Sequence, residues 1–164
     1  MGDKLALVTG ASSGIGFSLA KEFAGRGYDL VICSEGDRLD SAAQKLAAMG
    51  ANVVEVRADL ATEDGVQDLW DKFESLNRML DIACINAGIG VGGLFGETDL
   101  AAELQLVRLN CVGTVQLASL WCATCKIRAQ VVSYLPRQSL VRWLLPAKPS
   151  TPPVRHSYYR LRTL

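Results

Sequence analysis

The sequence predicts a doubly wound α/β domain built on a parallel sheet, followed by a tail of different character. Three observations carry this expectation. Apolar runs of strand length alternate with segments of helical periodicity; glycines cluster directly after the first and fourth of those runs; and every acid and every glycine lies within residues 1–120. Strands alternating with helices at this spacing imply parallel strands joined by right-handed crossovers, with helices on both sheet faces. The expected strand order is 3-2-1-4.

The first run, Lys4 to Thr9, has the continuous apolar character of a strand buried on both faces, and it stops at a glycine cluster. Beyond Gly16, Leu19, Ala20 and Phe23 fall at helical spacing, and Gly25 and Gly27 punctuate the end. Asp29 to Cys33 is the second strand; Leu39, Ala42, Ala43 and Leu46 then line one face of a helix that Gly50 closes. Asn52 to Val56 is the third strand. Thr62 stands as an N-cap before Val66, Leu69, Trp70 and Phe73, which occupy one face of an amphipathic helix. Leu80 to Ile85 gives the fourth strand, ending at Asn86-Ala87-Gly88. A glycine-rich loop then leads to a long helix from about Thr98, with Leu100, Leu104, Val107, Cys111 and Ala118 expected on its inner face. No proper fifth strand is expected, because the cluster Val131, Val132 and Leu135 is short and Pro136 breaks it at once.

The 164 residues hold 17 Lys+Arg against 17 Asp+Glu, with 49% hydrophobic and 21% charged, the make-up of a soluble globular domain. Disorder, collagen and a disulfide-built mini-protein are excluded. The balance conceals a break, because all 17 acids and all 15 glycines lie in residues 1–120, whereas all five prolines lie in residues 121–164. The tail sets eight basic residues against no acid, a net +8; the front sets nine against 17, a net −8. The chain therefore divides into a domain over 1–120 and a basic, proline-containing tail over 121–164, expected to be poorly ordered and irregular. No apolar run is long enough to span a bilayer, and Met1-Gly2-Asp3-Lys4 leads straight into a strand, so a cytoplasmic protein without a membrane partner is expected. In that reducing compartment Cys33, Cys84 and Cys111 read as small core residues. Cys122 and Cys125 have CxxC spacing, but there is no second pair and the single histidine is His156, so no metal site is expected.

The strongest chemical signal is Thr9-Gly10-Ala11-Ser12-Ser13-Gly14-Ile15-Gly16, which lies between the first strand and the first helix. Gly10 permits a tight turn, Gly14 lets the backbone approach phosphates, and Gly16 lets helix and strand pack closely. The helix start offers unpaired N–H groups to an anion. This Rossmann-like arrangement makes Gly10, Ser12, Ser13, Gly14, Ile15 and Gly16 candidates for holding a dinucleotide pyrophosphate. Glu35 lies about twenty residues past the fingerprint, where an acid accepts a hydrogen bond from the ribose 2′-hydroxyl and repels a 2′-phosphate. That favours NAD over NADP, although Arg38 is close enough in sequence to serve a phosphate instead.

The spacing Gly-x-x-x-Gly-x-Gly resembles that of the short-chain dehydrogenase/reductase family, and further matches follow in order: Ala58-Asp59-Leu60 after strand three, Asn86-Ala87-Gly88-Ile89 after strand four, and Asn110 in the long helix. The resemblance covers residues 4 to about 120. It implies an NAD(P)-dependent oxidoreductase in which Asp59, followed by Leu60, contacts the adenine amino group. Asn86, Ala87 and Gly88 flank the cofactor, and Asn110 is the catalytic-site asparagine that holds a proton-relay water.

The same resemblance calls for a tyrosine, a lysine four residues later and a serine. The nearest pair here is Tyr158 and Arg162, and arginine does not lose its proton. Residues 121–164 can be given codons that, read one base earlier, spell a continuation of the family containing GRILFTSSVAG and YAASK. The serine codon then overlaps Arg137 and Gln138, the tyrosine codon Ser150 and Thr151, and the lysine codon Val154 and Arg155. The expectation is a truncated oxidoreductase with a frame-shifted tail and little or no activity. The alternative is a non-enzymatic dinucleotide-binding or interaction module. A lesser reading uses the basic tail on nucleic acid, with Trp121, Trp143, Tyr158 and Tyr159 stacking on bases.

Overall fold

The computed structural model describes residues 4–94, 96–124 and 127–133, with side chains described as far as Trp121. The elements run β1 (Leu5–Thr9), α1 (Gly14–Gly25), β2 (Asp29–Ser34), α2 (Arg38–Ala47), β3 (Val53–Arg57), α3 (Glu63–Ser75) and β4 (Leu80–Ile85). Then follow α4 (Leu100–Val107), a π-helical turn over Arg108–Gly113, α5 (Thr114–Thr124) and β5 (Ile127–Ser133). All four strand pairings are parallel, in the order β3-β2-β1-β4-β5. The order expected for the first four strands holds.

Alternation along each strand feeds two cores. Leu5 and Leu7 of β1, Val31 and Cys33 of β2, and Ala83 and Ile85 of β4 face one side, where they meet Val66, Leu69, Trp70 and Phe73 of α3 and Leu117 and Trp121 of α5. Ala6, Val8, Leu30 and Ile32 face the other, against Ala20 and Ala24 of α1 and Leu39, Ala43 and Leu46 of α2. The α2 and α3 faces expected from periodicity are thus the buried ones, and Thr62 caps α3 by accepting the Gly65 N–H at 3.1 Å. Near the N-terminal edge, Asp29 is buried and pairs with Arg78 at 2.6 Å, while Asn52 Nδ2 donates to it at 2.8 Å.

Five expectations need correction. A fifth strand exists: Ile127–Ser133 runs parallel to β4 in the register Leu80↔Ile127 and Ile85↔Ser133. Pro136 does not prevent it, because the strand begins upstream of the Val131–Val132 cluster and ends before the proline. The long helix is two helices separated by the π-helical turn, and its supposed inner stripe lies outside. Leu100, Leu104 and Val107 are exposed, as is Cys111, which is therefore not a core residue; only Ala118 packs partly against the core. The inner stripe is Asn110, Gly113, Thr114, Leu117 and Trp121. Trp121 is wholly buried, edge-on to Trp70 at 6.0 Å and Phe73 at 6.2 Å, so it does not present itself to bases. Trp143, Tyr158 and Tyr159, the Tyr158/Arg162 pair and the Cys122/Cys125 side chains lie outside the described residues. Among the described residues no helix is long and apolar enough to cross a membrane.

Trp121→Ala should lower unfolding stability by about 3–5 kcal/mol, the usual loss for truncating a buried large aromatic. Val115→Ala, at a position 57% exposed on the other face of α5, should stay within about 0.5 kcal/mol. Urea titration of the two variants checks which face of α5 is inside.

Burial pushes the thiol of Cys33 up to about 12 and that of Cys84 up to about 11, from an ordinary value of 9.0. Alkylation at mildly alkaline pH, mapped residue by residue, should therefore modify exposed Cys111 and spare these two. In the folded chain both thiols stay neutral where the unfolded thiols have begun to ionise. Their contribution to stability is complete below about pH 9 and is lost as pH rises towards 11 to 12.

Candidate functional site

β1 pairs with β2 on one side and β4 on the other, so the chain order reverses at its C-terminal end, where open α/β sheets form a ligand crevice. Thr9 closes the floor of this crevice. It is wholly buried, and its hydroxyl oxygen accepts the N–H groups of both Asn86 and Ala87 at 2.9 Å. Asn86 Nδ2 in turn donates to the Thr9 carbonyl at 3.1 Å. The glycine turn above is tied to β2: the Gly10 N–H donates to the Cys33 carbonyl at 2.8 Å, and Ser34 Oγ donates to Ser12 Oγ at 3.0 Å. Gly16 is obligatory here, since a Cβ on it would run into the Gly10 carbonyl and the Asn86 amide.

The start of α1 differs from those of α3 and α4. Thr62 and Asp99 cap the latter two with side-chain oxygens, and both helices carry acids in their first turns. Ser13, the N-cap of α1, makes no such bond, and the first turn of α1 contains no acid. Ser13, Gly14 and Ile15 are exposed, and nothing crowds the space above Gly14. An uncapped, carboxylate-free helix start under open space fits the pyrophosphate of a dinucleotide.

The remaining candidates surround this turn. Glu35 is exposed just past the end of β2. Asp59 is half-buried after β3; its Oδ1 accepts the Ala61 N–H at 2.9 Å, and Oδ2 makes no hydrogen bond among the described residues. Leu60 turns its side chain into the core, and its carbonyl abuts Gly113 so closely that a Cβ there would collide with it. Asn110, buried in the π-helical turn, accepts the Ile89 N–H with Oδ1 at 3.0 Å and donates from Nδ2 to the Ile89 carbonyl at 2.8 Å. Its amide thus pins the loop that follows Gly88, with one hydrogen and one lone pair left for a water. Sequence reasoning quoted Thr9 only as the start of a motif and missed the Ser34–Ser12 bond. A threonine closing an otherwise apolar strand is the one available signal for the former.

Geometry therefore defines a doubly wound α/β domain whose crevice opens above a glycine turn and an uncapped helix start. The sequence profile described as short chain dehydrogenase matches residues 4–132, and the chain belongs to that family of oxidoreductases. The match runs past the compositional break near residue 120. The chain is 39% identical over 111 residues to 1-deoxy-11-beta-hydroxypentalenate dehydrogenase of Streptomyces exfoliatus, an alignment covering 65% of this chain and 40% of that protein. Among solved structures, a short chain dehydrogenase/reductase from Burkholderia phymatum in complex with NAD superimposes with a TM-score of 0.74 at 28% identity, covering 80% of this chain and 48% of that one. L-sorbose reductase from Gluconobacter frateurii, complexed with NADPH and L-sorbose, gives 0.72 at 30% identity over 81% and 52%. The chain thus spans about half the length of the relatives it matches, or somewhat less.

Thr9→Val keeps the shape of the side chain and leaves two N–H donors at the crevice floor unpaired. Each unpaired buried donor costs about 1–3 kcal/mol, so a loss of at least about 2 kcal/mol is expected in urea unfolding, with Thr9→Ser close to the parent.

Proposed function

We propose that this chain is a dinucleotide-binding member of its oxidoreductase family that prefers NAD to NADP and does not itself carry out hydride transfer. The observation that carries the binding is the uncapped start of α1 above the glycine turn. The N–H groups of Gly14, Ile15 and Gly16 hold the pyrophosphate, flanked by the Ser12 and Ser13 hydroxyls. Glu35 accepts from the ribose 2′-hydroxyl and repels a 2′-phosphate; Asp59 accepts from the adenine amino group; Asn86, Ala87 and Gly88 form the wall beside the nicotinamide half. When bound, the nicotinamide cofactor is what supplies or accepts hydride. Neighbours solved with NAD and with NADPH support the cofactor class.

The proton is the missing part. Reduction of a carbonyl needs an acid within hydrogen-bond reach of its oxygen, tuned by a neighbouring cation, and such catalysis contributes about 100- to 10,000-fold. Asn110 can hold a relay water but is not an acid. Tyr28, Tyr134, Tyr158 and Tyr159 are followed four residues later by Ile32, Gln138, Arg162 and Thr163, none of them a lysine. We likewise propose that the basic tail is a frame-shifted remnant; an unbroken frame in the coding DNA of independent isolates would remove that reading.

Calorimetry on the pure 164-residue chain should give weak binding of NAD and weaker binding of NADP, and assays across alcohols and ketones with either cofactor should give no turnover. Absence of binding to both cofactors overturns the binding reading, and robust turnover overturns the catalytic one.

A further inference from the structure

Arg57, the last residue of β3, lies directly across from Ser34 in the parallel register of β2 and β3. Ser34 donates to Ser12 of the glycine turn, and Glu35 follows Ser34 in sequence, so the ends of β1, β2 and β3 set Ser12, Ser34 and Arg57 in a row along the C-terminal sheet edge. Adjacent strands are about 4.8 Å apart, which puts the backbone of Arg57 one strand spacing from the end of β2, where this fold class places the adenosine ribose. The guanidinium is not free at that edge. Nη1 binds Asp37 Oδ1 at 2.9 Å and Nη2 binds Asp40 Oδ1 at 2.8 Å, one carboxylate just before α2 and the other in its first turn. The side chains of Arg57, Asp37 and Asp40 are 48%, 96% and 59% exposed, so water and ions compete for every partner in this cluster. Exposed pairs of this kind are weakly held and exchange partners readily.

We propose that Arg57 is a latent ligand for a 2′-phosphate and that Asp37 and Asp40 withhold it, so that these three residues, together with Glu35, set the selectivity for NAD over NADP. The inference rests on the reading that the glycine turn binds a dinucleotide. A phosphate at the ribose 2′ position carries nearly two charges and three acceptor oxygens, which suit the guanidinium fork better than two separate exposed carboxylates do. With the carboxylates in place it meets a neutralised arginine and a local excess of negative charge. The two pairs link the start of α2 to the end of β3, beside the β2–α2 loop that carries Glu35. Arg38, at the first position of α2, is exposed, forms no ion pair among the described residues and is close in sequence to the same loop, so the test has to separate the two arginines.

The experiment is calorimetric titration of the purified chain with NAD and with NADP, on the parent, Asp37→Asn/Asp40→Asn, the same double variant with Arg57→Ala added, and the same double variant with Arg38→Ala added. The double variant should raise the ratio of NADP to NAD affinity by roughly tenfold. Adding Arg57→Ala should abolish most of that gain, and adding Arg38→Ala should leave it. Binding of NAD with an unchanged ratio in the double variant overturns this proposal and leaves the binding site standing. A gain that survives Arg57→Ala, carried by Arg38 or by the lost negative charge alone, also overturns it. No binding of either dinucleotide by any of the four proteins overturns the proposal and the site together.

Discussion

The hydroxyl oxygen of Thr9 joins the ends of β1 and β4, and the C-terminal edge of the sheet is arranged around that joint. Where two neighbouring parallel strands end and their chains part, main-chain N–H groups lose their ladder partners while still shielded from water, and each must be satisfied. One threonine satisfies two of them. Asn86, held in place, returns a bond to the Thr9 carbonyl and presents its amide to the underside of α1 where only a glycine can stand. The same strand exit leads through Gly88 to Ile89, whose N–H and carbonyl are both taken by Asn110. A single polar thread therefore runs from β1 through β4 to the π-helical turn, and it forms the crevice floor.

That thread explains why the helical region over 100–124 defies a reading by hydrophobicity. The face turned inward there is Asn110, Gly113, Thr114, Leu117 and Trp121, three of the five polar or small. Asn110 has main-chain partners to meet in Ile89, and Gly113 must pass the Leu60 carbonyl at close range. The more continuous apolar stripe, through Leu100, Leu104, Val107 and Val115, faces outward. A helix carrying two stripes offers periodicity no means of choosing between them, and the rule that apolar residues are buried selects the wrong one when the buried contacts are with backbone.

Elsewhere the sequence was legible where information is local. The burial of all five residues of β1, the four apolar positions of α2 and of α3, the Thr62 cap and the limits of β4 follow from alternation, helical spacing and capping chemistry over short windows. The glycine turn was legible because its residues are contiguous and each glycine has a distinct steric duty. What escaped were bonds between residues far apart in the chain: Thr9 with Asn86, Ser12 with Ser34, Arg57 with Asp37 and Asp40. Each depends on strand register, which brings Ser34 opposite Arg57 and Val8 opposite Cys84, and no local pattern encodes it.

β5 shows the other side of the same distinction. A parallel strand at the edge of β4 requires a short segment of suitable propensity, because the N–H and C=O groups along that edge accept any extended backbone as a partner. Ile127, Val131 and Val132 supply the propensity. Sheet extension is therefore tolerant of sequence. Proton donation is not: an acid of the right kind has to stand within hydrogen-bond reach of one substrate oxygen, with a cation beside it to tune its acidity. Strand formation depends on residue class, whereas catalysis depends on residue identity, so the presence of β5 beside β4 carries no information about a proton donor.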